Sequence, residues 1–315
     1  MERRPLGASG IEVSALSLGS WRTFERIPKE AGVAVMTAAR ELGIDFLDDA
    51  RYDDETGTAP LPTGYSEVVF GELFRTAGWK RDAVVVANKL WWEFWPDQTA
   101  AEELEGSLGR MRFDYLDLIY SERPPEGLSV PEVVASVSEL IASGKVRAWG
   151  VLNWSPEQIA EAARGAAAEG LPSPCAAQLP YSLAYRQFVE DVAMTDALDA
   201  ARASVIASAV LAGGALTGKY GAGASGRLSN EHDDPRRRRA FEAGEGLRTL
   251  AERVGATPAR LAIAFAVTNR RVASVLFGAT SPEQVADNVG ALEVLARMSE
   301  AELAELRSLA VSAAA

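Results

Sequence analysis

The sequence predicts an α/β protein, a (β/α)8 TIM barrel with an N-terminal β-hairpin cap and accessory C-terminal helices. Three observations predict this fold: eight short apolar runs, amphipathic helical stretches between them, and no break in composition along 315 residues. Strands that feed helices through short loops are βαβ units, and eight such units in about 300 residues match the size of this barrel. We therefore expect residues 1–315 to form a single barrel domain.

Each predicted strand is a short apolar run bounded by Gly, Asp, Asn or Glu. A doubly wound sheet would give a similar alternation, but it needs a glycine-rich turn after its first strand, and LGSWRTF (18–24) is not one. The eight runs are VSALSLG (13–19), IDFLDDA (44–50), AVVVANKL (83–90), LDLIYSE (116–122), VRAWGVLN (146–153), CAAQLPY (175–181), SVIASAVLA (204–212) and VASVLFGA (272–279).

The predicted helices carry the residues that usually begin and end helices. PEVVASVSELIASGK (131–145) has its valines and leucine at helical spacing, and Gly144 ends it. Thr99 and Ser155 are in N-cap positions, and Pro156 is suited to a first helical residue. These stretches are therefore predicted to be the helices that link consecutive strands.

Three segments lie outside the eight repeated units. Ala8-Ser9-Gly10 is turn chemistry between two short extended runs and predicts a hairpin over the barrel floor. Residues 258–269 and 299–310 have helical periodicity, and Ser299 is placed to cap the second. We expect both to be accessory helices.

Composition excludes several classes of function. The chain has 32 basic and 44 acidic residues, and the net charge of -12 disfavours nucleic acid and anionic membranes as partners. Cys175 is the only cysteine and His232 the only histidine, which argues against a disulfide, a Ser-His-Asp triad and most zinc sites. The N-terminus has no secretory apolar segment, and no apolar run has the ~20 residues of a membrane span. We expect a cytoplasmic protein without a metal that acts on a small molecule.

Polar residues stand at the C-terminal ends of the predicted strands, where the active site of this fold is expected. These residues are Asp48, Lys89, Glu122, Asn153 and Gln178. A buried lysine needs a carboxylate, so we expect Asp48 on the neighbouring strand to pair with Lys89.

The lysine–aspartate pair has both a chemical and a structural interpretation. A tyrosine beside it would sense a positive charge and become a better proton donor, which suits reduction of a carbonyl without a metal. Alternatively, the pair only stabilises the barrel.

Six blocks carry more specific motifs: RPLGASGIEVSALSLGSW (4–21), GIDFLDDARY (43–52), GYSEVVFG (64–71), DYLDLIYSERPP (114–125), GKVRAWGVLNW (144–154) and FGATSPEQVADNVGAL (277–292). In this order they resemble the aldo-keto reductases, in the branch that contains the voltage-gated potassium channel β-subunits and bacterial sugar-type reductases. The resemblance covers nearly the whole chain.

The resemblance implies catalytic roles for four positions. The family's aspartate falls on Asp48 and its lysine on Lys89. Its tyrosine falls on Tyr52 if one residue is missing, because DDARY is one residue shorter than the family's spacing. Tyr65, at the end of the long loop DDETGTAPLPTGY, is the alternative, and we favour Tyr52.

Glu122 stands where the family has histidine. Glutamate at this position is found in the steroid 5β-reductases, which reduce a carbon–carbon double bond conjugated to a ketone. A neutral carboxyl could donate a hydrogen bond to the developing enolate oxygen. Alternatively, the position is permissive in a carbonyl reductase, since the channel β-subunits carry asparagine there.

The resemblance also implies NADP(H) as a non-covalent cofactor. The chain departs from the family at Leu152, where serine is common, and at Ala209-Val210, where Ser-Pro is usual. Ser281-Pro282 would begin a helix whose N-terminal amides suit the adenosine 2′-phosphate. The implied cofactor contacts are Gly19, Ser20, Trp21, Asn153, Gln178, Ala209, Leu211, Lys219, Arg227, Gly278, Thr280, Gln284 and Asn288.

WWEFW (91–95) follows Lys89 directly and is interpreted either as an aromatic wall of a substrate pocket or as a packing cluster at the rim. We expect an NADP(H)-dependent reductase of a carbonyl or conjugated enone. The alternatives are an NADP(H)-sensing regulatory protein with vestigial catalysis and a sugar-hydroxyl dehydrogenase.

Overall fold

The structure is a computed structural model that describes residues 1–217 and 235–309, with only the backbone described for residues 235–239. Eight parallel strands close into a barrel in the order β10-β3-β4-β5-β6-β7-β8-β9, and β1 and β2 form a separate antiparallel pair. The strands are β1 (Arg3–Pro5), β2 (Glu12–Ser14), β3 (Leu16–Gly19), β4 (Phe46–Asp48), β5 (Val85–Leu90), β6 (Leu116–Ser121), β7 (Val146–Leu152), β8 (Ala176–Pro180), β9 (Ser204–Ser208) and β10 (Val272–Phe277).

Helices follow the strands and surround the barrel. The predicted N-caps at Thr99, Ser155 and Ser299 are confirmed, each within a capping box. The helices are α1 (Lys29–Glu41), α2 (Tyr65–Thr76), α3 (Ala100–Met111), α4 (Val130–Ala142), α5 (Pro156–Glu169), α6 (Gln187–Glu190), α7 (Val192–Ala201), α8 (Pro235–Val254), α9 (Pro258–Val267), α10 (Pro282–Val289), α11 (Ala291–Arg297) and α12 (Glu300–Ser308).

The predicted barrel is confirmed, and each of its eight strands is shorter than the apolar run that predicted it. The run 13–19 divides in two, because Glu12–Ser14 pairs with β1 and the barrel strand begins at Leu16. The run 204–212 stops at Ser208 because Ala209 and Ala212 have positive φ angles of 52° and 48°, which cannot continue a strand.

The hydrophobic core has two parts, inside and outside the ring of strands. The larger cluster packs the helices on the outer face of the strands. The smaller one fills the lumen and includes Leu6, Ile11 and Val13 of the hairpin segment together with Phe46 and Tyr120 of the barrel strands. The predicted hairpin therefore closes the N-terminal end of the barrel, which leaves the C-terminal end for a site.

Within the described ranges, no helix combines the length and apolar character needed to cross a lipid bilayer.

Candidate functional site

The alternation of side chains along the strands brings polar groups into the upper lumen. In β4, the apolar lumen residue Phe46 is followed two positions later by Asp48. In the same way Ala87 precedes Lys89 in β5. Because side chains two positions apart lie on the same face of a strand, these polar residues form the top layer of the barrel interior.

Asp48 is held from two sides in this layer. The Lys89 ammonium donates to Asp48 Oδ1 over 2.6 Å and to the Asp49 carbonyl over 3.1 Å, and Gln178 Nε2 donates to Asp48 Oδ2 over 3.0 Å. Only 2% of the Asp48 side chain and 3% of the Lys89 side chain are exposed. The predicted ion pair is confirmed, and it is a buried pair with additional hydrogen bonds.

Tyr52 lies beside this pair. The Lys89 Nζ atom is 5.7 Å from the centre of the Tyr52 ring, and both side chains line one cavity. The Tyr52 backbone is fixed on both sides, because its N–H donates to Ser66 Oγ over 3.3 Å and its carbonyl accepts from Gly64 N over 2.8 Å. The shortened spacing therefore still delivers a phenol to the lysine.

The alternative tyrosine lies elsewhere. Tyr65 is the first residue of α2 and is not among the residues that line the cavity. The long loop thus ends at α2 without bringing this second phenol to Lys89, and Tyr52 remains the candidate that faces the cavity.

The predicted direction of the Tyr52 pKa shift is wrong. Burial raises the pKa of Tyr52 well above its ordinary value, and the negative charges of Asp48 and Asp49 raise it further. The charge of Lys89 does not outweigh these effects on the pKa of Tyr52. Tyr52 is therefore a neutral phenol that holds its proton firmly.

Tyr120 is a further phenol near Lys89 that the sequence analysis missed. Its ring centre is 5.9 Å from Lys89 Nζ, its side chain is fully buried in the lumen, and its hydroxyl has no hydrogen-bond partner. Burial raises its pKa well above the ordinary value. Tyr120 does not line the cavity, and it is the residue of β6 that pairs in register with Lys89 of β5.

Glu122 follows β6 directly and lines the cavity, half-buried. Its own N–H donates to the Leu90 carbonyl over 2.9 Å. Burial raises the pKa of the Glu122 carboxyl, and the backbone N–H and charge of Arg123 and the charge of Lys89 lower it by less. The neutral form of this carboxyl is therefore favoured to a higher pH than in a solvated glutamate.

One cavity of about 550 Å³ joins these groups to the loops after β9 and β10. Most of the predicted site residues line it: Gly19, Trp21, Asp48, Tyr52, Lys89, Glu122, Asn153, Gln178, Ala209, Leu211, Gly278, Thr280 and Gln284. Ser20 and Asn288 are buried outside its wall, and Lys219 and Arg227 lie outside the described residues.

The cavity wall after β9 is made of backbone that only glycine adopts easily. Gly213 and Gly214 have φ angles of 68° and 103° and expose the main chain to the cavity. After the neighbouring strand β10, a Cβ atom at Gly278 would approach Thr23 Cγ2 to 2.8 Å, so that glycine permits a close contact between two loops. At Gly213 and Gly214 the main chain therefore carries no side chain of its own toward the cavity.

The start of α10 forms the far end of the cavity. Ser281 caps this helix, accepting from Gln284 N. The Gln284 side-chain oxygen accepts from Thr280 N over 2.9 Å. Thr280 and Gln284 are therefore oriented by each other at a helix N-terminus, which is a favourable environment for an anion.

Arg22 and Trp91 complete the cavity wall near Tyr52. Arg22, which the sequence analysis missed, lies 4.6 Å from the Trp21 ring centre and pairs with Glu55 at 2.5 Å. The Trp91 ring centre is 6.1 Å from that of Tyr52. Of the predicted aromatic stretch, Trp91 therefore lines the cavity, whereas Trp92 is buried behind it.

The Asp49 carboxyl is buried behind the wall and is not part of it. It accepts a hydrogen bond from Ser20 Oγ at one oxygen, and its other oxygen has no partner. Burial, and then the charge of Glu67, raise the pKa of Asp49 well above its ordinary value. This carboxyl and Ser20 join the loops that follow β3 and β4.

The family model for the aldo/keto reductases matches residues 15–311, nearly the whole chain. The chain belongs to the aldo/keto reductase family. As an aldo/keto reductase it is related to oxidoreductases that act on small molecules. Among the described residues of this aldo/keto reductase, no group of three or more His, Cys, Asp or Glu side chains is placed to hold a metal ion.

This aldo/keto reductase is also similar to a curated relative, a probable voltage-gated potassium channel subunit beta from Oryza sativa subsp. japonica. The two sequences are 33% identical over 315 residues, covering 94% of this chain and 92% of the relative. The branch of the aldo/keto reductases that the sequence motifs resemble is therefore supported by an independent comparison.

Proposed function

We propose that this aldo/keto reductase is an NADP(H)-dependent enzyme that reduces a carbonyl or conjugated enone of a small molecule. One observation carries the proposal. The Asp48–Lys89 pair and the Tyr52 phenol lie in the wall of the same cavity that ends at Thr280 and Gln284. The cavity volume of about 550 Å³ falls in the range of small-molecule and cofactor sites.

The residues present fit NADP(H). Gly213 and Gly214 would accept the pyrophosphate against bare main chain, and Thr280, Gln284 and the α10 N-terminus would hold the adenosine phosphate. Asn153 and Gln178 would contact the nicotinamide end. When bound, the cofactor would supply the hydride.

Tyr52 is proposed to donate the proton to the carbonyl oxygen. The alkoxide that forms at this oxygen is a much stronger base than a phenolate, so proton transfer is favourable even with the raised pKa of Tyr52. Lys89, held by Asp48, would stabilise the phenolate that remains after the transfer.

Glu122 is proposed to act as a second donor when the substrate is an enone. Its carboxyl lines the cavity, and burial favours its neutral form, which can donate to the oxygen of a developing enolate. The aromatic surface of Trp91 beside Tyr52 favours a flat or cyclic apolar substrate.

The purified protein tests this function directly. NADPH oxidation should be measured against a panel of ketones, aldehydes and cyclic enones, with products identified by mass spectrometry. Turnover of at least one class supports the proposal. Tight NADPH binding with no turnover across the panel contradicts it.

The pH dependence of enone reduction tests Glu122. Its pKa is raised, so the donor form is present at low pH and is lost as pH rises through that raised pKa. We expect enone turnover to fall over this interval. Glu122→Gln cannot titrate, so it should abolish this fall of turnover with rising pH. Glu126→Gln, on the exposed loop, should leave the fall unchanged. If turnover of Glu122→Gln falls with rising pH as in the unmodified protein, Glu122 is not the donor to the enolate oxygen.

Glu122→His tests the same position from the other side. It installs the residue that the family pattern has here, so we expect ketone turnover to be kept or increased and enone turnover to fall by about 10-fold or more as the carboxyl donor is lost. Equal changes for both substrate classes would indicate a permissive position.

Cofactor selectivity tests the proposed 2′-phosphate site. Gln284→Glu keeps an oxygen that can accept from Thr280 N but places a negative charge at this end of the cavity. We expect the Kd for NADPH to rise about 10-fold or more while the Kd for NADH changes little. Gln158→Glu is the matched control, since the Gln158 side chain also accepts from a backbone N–H, that of Ser155, at the start of α5 and does not line the cavity. Equal effects on NADPH and NADH would contradict the site.

A second candidate function is an NADP(H)-sensing or regulatory protein with vestigial catalysis. The relative named as a probable voltage-gated potassium channel subunit beta favours it, as do glutamate in place of histidine and the firmly held Tyr52 proton. This candidate predicts NADPH binding without turnover on the carbonyl and enone panel.

A further inference from the structure

Glu103 of α3 is a buried carboxylate that the proposed chemistry does not use. Only 4% of its side chain is exposed. One carboxylate oxygen accepts from Trp91 N over 2.8 Å and the other from Trp92 N over 3.2 Å. These two hydrogen bonds therefore attach the loop after β5, which carries Trp91 of the cavity wall, to α3.

Arg51 links the same carboxylate to the tyrosine loop. Its guanidinium lies 3.6 Å from Glu103 Oε1 and 2.8 Å from Glu93 Oε2, and only 5% of its side chain is exposed. The Phe94 ring covers it, with 5.1 Å between the guanidinium carbon and the ring centre. Arg51 immediately precedes Tyr52, so this buried cation connects the segment that carries Tyr52 to Glu103 and to the loop after β5.

Trp92 connects the end of β6 to the same set of contacts. This residue has a left-handed φ of 60°, which is unfavourable for a bulky side chain, and its indole N–H donates to Ser121 Oγ over 2.9 Å. Ser121 Oγ in turn donates to the Glu122 carbonyl over 2.8 Å. The strained backbone at Trp92 is held by Glu103 on one side and by Ser121 on the other.

We propose that Arg51, Glu103, Trp92 and Ser121, here called the Glu103 network, position the three cavity groups Tyr52, Trp91 and Glu122 relative to one another. None of the four lines the cavity, so they are positioning residues and not catalytic ones. The proposal rests on the proposed function for its catalytic consequence only, because the network itself is a set of contacts in the free protein.

A misplacement of about 1 Å at a reacting group lowers rates by about 100-fold, so small shifts in this network have a large effect. Glu103→Gln removes the charge that faces Arg51 and one of the two oxygens that accept from the Trp91 and Trp92 amides. We expect kcat to fall by about 10- to 100-fold while the Kd for NADPH changes less than about twofold. Glu105→Gln is the matched control, since Glu105 is exposed on the same helix and pairs only with Lys145 in the described part of the chain.

A double variant separates positioning from stability. Replacing both buried charges, Arg51→Met with Glu103→Gln, leaves no uncompensated ion in the network and keeps one oxygen that can accept from a loop amide, so the melting temperature should be higher than in Glu103→Gln alone. Turnover should stay low, because the loop contacts are not restored. Recovery of turnover together with the melting temperature would overturn the proposal and leave the network a structural role.

Hydrogen exchange gives a readout that does not depend on activity. The amides of Trp91 and Trp92 should be protected in the unmodified protein and exchange about 10-fold or more faster in Glu103→Gln, with no change in Glu105→Gln. Equal protection in all three proteins overturns the network. If the unmodified protein shows no turnover on the substrate panel but the protection pattern is as expected, the network stands and the proposed function fails.

Discussion

Tyr52→Phe should lower kcat for carbonyl reduction by about 10²- to 10⁴-fold, the usual contribution of a positioned proton donor. The Tyr52 hydroxyl is the phenol that shares the cavity with Lys89, and the substitution removes only this oxygen. NADPH affinity should change little because the ring remains. Steady-state kinetics with a ketone and fluorescence titration with NADPH measure the two quantities.

Tyr65→Phe is the control for this result. Tyr65 lies at the start of α2 and does not line the cavity, so turnover should be kept. If Tyr65→Phe loses turnover and Tyr52→Phe does not, the assignment of the donor is reversed. If neither variant loses turnover, neither Tyr52 nor Tyr65 is the proton donor.

The second large effect concerns the buried ion pair. Lys89→Met leaves the Asp48 carboxylate buried with Gln178 as its remaining side-chain donor, and we expect the free energy of unfolding to fall by about 3–5 kcal/mol. The turnover number should fall by about 10²- to 10⁴-fold in the same variant, since no cation remains beside Tyr52. Urea denaturation and steady-state kinetics check the two effects.

The double variant Asp48→Asn with Lys89→Met distinguishes the two roles of the pair. Removing both charges should restore most of the lost stability, because no buried ion is left without a partner. Turnover should not return. If turnover returns with stability, the pair serves only to stabilise the barrel, which is the structural interpretation that the sequence left open.

The barrel could be predicted from the sequence because its signals are local and repeated. Each strand is a short apolar run, and caps such as Thr99 and Ser155 satisfy the helix ends through side chains three residues away. Strand ends were less predictable. The φ angle of 52° at Ala209, for example, is set by the loop that follows and not by the apolar residues themselves.

The Asp48–Lys89 pair was predictable because a charge inside a strand requires a partner on the next one. The direction in which the pKa of Tyr52 is shifted was not predictable. The sign of the Tyr52 shift depends on how deeply the ring is buried and on the charges of Asp48 and Asp49, which no spacing reveals.

Glu103 was missed, although the sequence contains a signal for it. In α3 it lies on the same face as Ala100, Leu104 and Ser107, which is the buried stripe of the helix. A glutamate at such a position indicates a partner inside the protein. The neighbouring Glu102 obscured this signal, because it occupies the expected place in the capping box of Thr99.

The contact between Gln178 and Asp48 joins β8 to β4, which stand opposite each other in the ring of eight strands. This hydrogen bond spans the C-terminal opening of the lumen, so the two halves of the barrel cannot separate there without breaking it. Conformational changes that accommodate different substrates must then occur in the loops that follow the strands. A half-barrel fragment that ends before residue 176 would lack one of the two donors to the aspartate on which the lysine depends.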